Sequence, residues 1–147
     1  MDELMAVLAG DREAGVYQIG KPLDWARLVQ VCAARDLQLF VLDGSAIATK
    51  TELLQRCAEV MQFPDYFGAN WDALEDCLTD LEWLPASGYV LVYDQPEVLA
   101  KAAPADWSML VEILACAVDA WAQTNCPMSV FFHSTSRLDM DAIARLG

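Results

Sequence analysis

The chain reads as an α/β protein: a small parallel β-sheet of about three strands, with a fourth strand available at an edge, flanked by helices. Three observations predict this. The runs "LQLFVLDG" (Leu37–Gly44), "GYVLVYD" (Gly88–Asp94) and "MSVFFHS" (Met128–Ser134) are apolar without polar alternation, as strands buried on both faces are. Helical stretches separate them, and strands joined through helices pair in parallel by right-handed crossovers. At 147 residues, 56% of them hydrophobic, the chain has the material for one packed domain.

Taken in order, Asp2–Ala9 carries a weak helical period and "GVYQIG" (Gly15–Gly20) a short strand. "KPLDWARLVQVCAARD" follows as a helix with Pro22 at its start and Leu23, Ala26, Leu28, Val31 and Cys32 near helical spacing. After the first buried strand, "TKTELLQRCAEVMQF" places Leu53, Leu54, Cys57, Ala58 and Met61 on one face, with Thr49 or Thr51 as cap. "PADWSMLVEILACAVDAWAQTN" is a long helix stopped near Asn125 and Pro127. "RLDMDAIARLG" closes the chain with a helical turn or two.

Net charge is −13. That disfavours nucleic acid and anionic membrane as direct partners and favours a basic protein. The 5 cysteines show no C-x-x-C pairing and the chain has 1 histidine, so no metal site and no cofactor is expected, and buried free thiols in a reducing cytoplasm fit. No apolar run approaches the ~18 residues of a membrane span. The first residues, "MDELMAVLAGDREAG", carry acids where an export signal needs a basic region.

The densest charge lies in "PDYFGANWDALEDCLTDLEWLP" (Pro64–Pro85), which holds Asp65, Asp72, Glu75, Asp76, Asp80 and Glu82 and no Lys, Arg or His. Like charges four apart on a helix repel by a few tenths of a kcal/mol, so a partner outside the chain is the natural reason for them. Asn70 is a good cap and Asp72 a good first-turn residue. At 100° per residue Trp71, Leu74, Cys77, Leu78 and Leu81 share one face, Asp72, Asp76 and Thr79 point the opposite way, and Glu75 and Asp80 flank. The preceding loop adds Phe63, Tyr66 and Phe67; one phenylalanine packs inward, and the tyrosine stands beside the carboxylates.

"YFGANWDALEDCLTDL" (Tyr66–Leu81) resembles the signature of the barstar family, the intracellular inhibitors of barnase-type ribonucleases: an aromatic pair, Gly, Asn, Asp-Ala-Leu and Asp-Cys-Leu-Thr in order. The likeness extends more loosely from "LDGSAI" at Leu42 to the strand ending near His133. It implies the family's small parallel sheet with surrounding helices, in a domain over residues 37–147; residues 1–36 lie outside the likeness and are expected as an N-terminal extension whose strand and helix pack on that domain. It also implies inhibition by substrate mimicry, in which the loop and helix plug a basic cleft. By motif position Asp76 stands in for a substrate phosphate, Asp72 is its companion, Tyr66 is the contacting tyrosine, Gly68 and Asn70 shape the loop, and Thr79 lies at the rim. Glu75 departs from the family, which has Trp there. For a further family glutamate on the later helix, Glu112 and Asp119 are both candidates.

The partner so implied is a basic ribonuclease or related toxin, met by a monomer and without catalysis. Two other readings stand beside it. The acids can be a plain solvated face of an interaction module with another basic partner. Asp72 and Asp76 can be catalytic or magnesium-binding carboxylates, though no nucleophile–base pair or phosphate-cradling Gly loop accompanies them. His133 is expected to be structural, Trp71 and Trp121 to fill core space, Trp83 to pack or to edge the interface, and Cys77 to pack.

Overall fold

Five strands, β1 (Val16–Ile19), β2 (Leu37–Asp43), β3 (Gly88–Asp94), β4 (Met128–His133) and β5 (Ala144–Leu146), form one sheet in the order β2-β3-β4-β1-β5. Every pairing is parallel, from Leu37 beside Gly88 to Ile19 beside Leu146. The computed structural model describes residues 3–65, 67–134 and 144–146. Among the described residues, six α-helices surround the sheet: α1 (Glu3–Ala9), α2 (Trp25–Ala34), α3 (Lys50–Met61), α4 (Trp71–Asp80), α5 (Glu97–Ala102) and α6 (Pro104–Ala122).

The α/β architecture is the expected one; the sheet is larger. β1 lies inside it, between β4 and β5, and not at an edge. Its burial explains the placement: Tyr17 and Ile19 pack with one core, Val16 against the other, and both backbone edges are paired. Part of the expected closing helical turn, residues 137–143, falls outside the described residues, and Ala144–Leu146 is a strand. The sequence carries no visible sign of α5. It is six residues long and buries Leu99, too little for a visible period.

Alternation along the strands divides the core in two. Phe40, Leu42, Leu91, Tyr93, Val130 and Phe132 face the larger cluster under α3, α4 and α6. Val90, Val92 and Phe131 face the smaller one under α1 and α2. Helices on both faces bury β3 and β4 throughout, which is why those strands read as unbroken apolar runs.

Local signals set most helix ends. Thr49 Oγ1 accepts from the Glu52 N–H at 3.1 Å while Glu52 Oε1 accepts from the Ala48 N–H at 3.1 Å, so Thr49 and not Thr51 caps α3. The helix expected from Pro22 begins at Trp25, because Asp24 Oδ1 accepts from the Arg27 N–H at 3.1 Å. After β2, a Cβ on Gly44 would stand 2.2 Å from the Asp94 carbonyl oxygen, so only glycine allows the chain to pass β3 there.

Candidate protein-binding site

The loop before α4 is braced from inside. Phe63 and Phe67 both pack against the larger core, their ring centroids 4.9 Å apart, where the sequence predicts one of them inward. Trp83 meets Phe63 edge-on at 6.1 Å and donates from Nε1 to the Met61 carbonyl at 2.9 Å. That ring serves its own fold. The Phe67 N–H donates to the Pro64 carbonyl at 3.0 Å. Among the described residues from Pro64 to Asn70, the left-handed one is Ala69 (φ 51°), not Gly68. Gly68 is exposed, and a Cβ there would come within 3.2 Å of the Asn70 amide nitrogen. Tyr66 lies outside the described residues.

Asn70 caps α4, its Oδ1 accepting from the Ala73 N–H at 2.7 Å. Leu74, Cys77, Leu78 and Leu81 are buried, Trp71 is half-buried, and Trp121 Nε1 donates to the Leu78 carbonyl at 2.7 Å, tying α6 beside α4. The helix is therefore a rigid platform. Asp72, Asp76, Thr79 and Asp80 are exposed and Glu75 half-buried, the division the helical wheel predicts. The Thr79 hydroxyl is turned back on the helix, donating to the Glu75 carbonyl at 2.9 Å and the Asp76 carbonyl at 3.2 Å. Burial, then the neighbouring Asp76 and Asp80 carboxylates, push the Cys77 thiol up, so it stays a neutral packing group.

Among the described residues, the carboxylates of Asp72, Glu75, Asp76 and Asp80 take no hydrogen bond and no ion pair. Asp72 and Glu75 line a groove of about 450 Å³ between α4 and α6, together with Lys50, Trp71, Met109, Glu112 and Ile113. Of the two candidates on α6, Glu112 faces this groove; Asp119 is exposed elsewhere on the helix. Lys50 and Met109 joined the site only through packing. Of these two, Lys50 carried a signal in the sequence, a cation in the first turn of a helix, where the macrodipole opposes it. No group of three His, Cys, Asp or Glu placed to hold a metal occurs among the described residues.

Away from this surface, several polar side chains are engaged by the fold. His133 Nδ1 stands 2.7 Å from Asp94 Oδ1 and Nε2 2.8 Å from the Lys21 carbonyl, so its role is structural as expected. Burial pushes the Cys57 thiol up to about 12 and the Cys32 thiol up to about 11. No helix among the described residues is long and apolar enough to cross a membrane.

The chain is similar to two solved structures of the Aeropyrum pernix ORC2 protein. The form in ADPNP-ADP complexes has a TM-score of 0.59 at 13% identity, covering 90% of this chain and 38% of that one. The ADP form has a TM-score of 0.57 at 14% identity, covering 95% and 39%. The chain thus spans about two fifths of those proteins, and the likeness is one of fold alone. No curated protein matches the sequence. Residues 37–133, from the start of β2 to the end of β4, match the family described as Barstar (barnase inhibitor). With its loop, capped acidic helix and strands β2, β3 and β4 inside that match, the chain belongs to the barstar family.

Proposed function

We propose that this protein is a cytoplasmic inhibitor of a basic ribonuclease or related toxin. It acts stoichiometrically, not as an enzyme, by presenting the loop from Pro64 and the exposed face of α4 to the cationic cleft that normally grips RNA. One observation carries the reading: the α4 carboxylates are held on a rigid, capped helix with no partner among the described residues. Burying such groups against Arg and Lys makes charge-assisted hydrogen bonds. A net charge of −13 also speeds encounter with a cation-lined cleft. In this reading Asp76 takes the place of a substrate phosphate, Asp72 supports it, and Tyr66, Gly68, Asn70, Glu75 and Thr79 complete the contact.

The test is capture of a basic protein from the native cell, followed by titration and nuclease inhibition with the captured protein. Asp76→Ala is expected to weaken binding by more than about 2 kcal/mol, the level at which alanine scans place anchor residues, a barstar aspartate among them. Asp72→Ala should lose less. Intact affinity in both variants would remove this surface from the interface. Association should slow steeply as salt rises. Turnover, or magnesium binding abolished by the same substitutions, would favour the carboxylate enzyme instead.

A further inference from the structure

The two edges of the sheet are built differently. β5 is three residues long with Arg145 at its centre, and shortness and charge are what keep a strand edge from pairing. β2, at the other edge, has neither defence. Its seven residues run without bulge or proline, in unbroken register with β3, and only the last is charged. Among the described residues no strand pairs with its outer backbone N–H and C=O groups. Leu37, Leu39 and Val41 alternate onto the face that α2 covers, and α2 does not close over them. Leu37 and Leu39 are half-buried, and Val41 is 39% exposed. The charges at the two ends of β2 are opposite. Arg35, two residues before the strand, is exposed and makes no ion pair among the described residues. Asp36 is turned aside, its Oδ2 accepting from the Ser87 hydroxyl at 2.8 Å. Asp43, the last residue of the strand, is exposed.

We propose that the outer edge of β2 binds the same edge of a second copy of this chain, antiparallel, joining the two sheets across a two-fold axis at Leu39. The opposite charges at the strand ends select that arrangement. An antiparallel pair sets the start of one strand beside the end of the other, so Arg35 of each copy meets the partner's Asp43. Leu39 then faces the partner's Leu39, and Leu37 faces the partner's Val41. Directly opposite residues of an antiparallel pair lie on one face, so these side chains close into a single apolar strip. An axis between two residues would set Leu39 beside the partner's Phe40 and divide the strip. A two-fold contact of this kind closes on itself and gives a dimer, not a fibre. A cationic protein fits the edge less well, because no carboxylate lies between Leu37 and Leu42. A net charge of −13 on each copy opposes association, so the monomer expected from the sequence is the dilute form. None of these residues belongs to α4 or its loop, and the proposal stands apart from the inhibitor reading.

Sedimentation equilibrium of the full chain tests this, at protein concentrations up to about 1 mM, where even an association of about −4 kcal/mol is seen. The mass should rise from 16.2 kDa toward twice that value. Added salt should tighten the dimer by screening the repulsion between copies. Val41→Lys puts a charge into the strip at an exposed position and should weaken the dimer about tenfold or more. Arg35→Glu, in the turn outside the strand, should weaken it about threefold, and carries the test should Val41→Lys fail to fold. Register is read by cross-linking with oxidised glutathione in a Cys116→Ser background, which lacks the exposed thiol. Leu39→Cys should form a disulfide between copies, since at the axis identical residues come within the ~7 Å Cα separation that a disulfide spans. Val41→Cys, two residues from the axis, should not. A mass that stays at 16.2 kDa throughout overturns the proposal. So does a dimer that survives both Val41→Lys and Arg35→Glu, or that salt dissolves, or that cross-links through Val41→Cys and not through Leu39→Cys.

Discussion

Carboxylates at the C-terminal end of the sheet and carboxylates on α4 are treated in opposite ways by the same chain. Asp43 accepts from the Ser45 hydroxyl at 2.6 Å and the Ser45 N–H at 3.0 Å. Asp94 holds His133 at 2.7 Å, and Glu97 accepts from the Ser134 hydroxyl at 2.6 Å. On α4 the comparable groups are left unpartnered among the described residues, side by side, at a small cost in repulsion. A fold able to satisfy acids at one end has no chemical obstacle to doing so at another. The difference supports the proposal that the α4 acids serve an interaction with something outside the chain.

That contrast can be broken by substitution. The largest effect expected is on Asp76→Ala, with binding to the captured nuclease falling by more than about 2 kcal/mol while the melting temperature holds or rises. Asp94→Ala should do the reverse, lowering stability by roughly 2 kcal/mol through loss of a charge-assisted bond to a mostly buried histidine, with binding unchanged. Denaturant titration and calorimetry on both variants measure the exchange; a destabilised Asp76→Ala protein would erase the distinction. Smaller still, Asp76→Asn should stabilise the free protein by a few tenths of a kcal/mol, as relief of i,i+4 repulsion with Asp72 and Asp80 does.

The smallest effect is in acid. Hydrogen bonds from the Ser45 hydroxyl and N–H hold the Asp43 carboxyl below its ordinary value. Its contribution is therefore present above about pH 4, the ordinary range for an aspartate, and is lost as pH falls through its lowered value. Asp43→Asn should flatten that part of the acid unfolding curve slightly. Thiol chemistry checks the same division between core and surface. Cys116, exposed beside the groove, should alkylate first near pH 7.5, while Cys57 and Cys32, buried with raised thiols, should resist until the protein unfolds.

Much of the fold was legible because its signals are local. Thr49 and Asn70 announced their helices through side-chain caps, and Leu74, Leu78 and Leu81 fixed the inward face of α4 by helical period alone. Apolar runs without alternation announced β2, β3 and β4, and helices between them announced parallel pairing. Less legible were α5 and β5, too short to carry a period. Pro22 misled because it can open a helix, whereas Asp24 captured the start through a hydrogen bond.

What the sequence determined by itself was the set of elements, the polarity of each face and the barstar signature, since each depends on residues within a few positions of one another. What only tertiary structure decided was how those pieces register. Glu112 and Asp119 lie seven residues apart, two helical turns, and so share a face of α6 about 10 Å apart along its axis. Periodicity cannot choose between them. The choice falls to the docking of α6 against α4, fixed by contacts such as Trp121 to Leu78, which puts Glu112 across the groove from Asp72 and Glu75. The same holds for β1, whose run of four residues carries no mark of its two neighbours, because strand order is set by which faces must be buried against which.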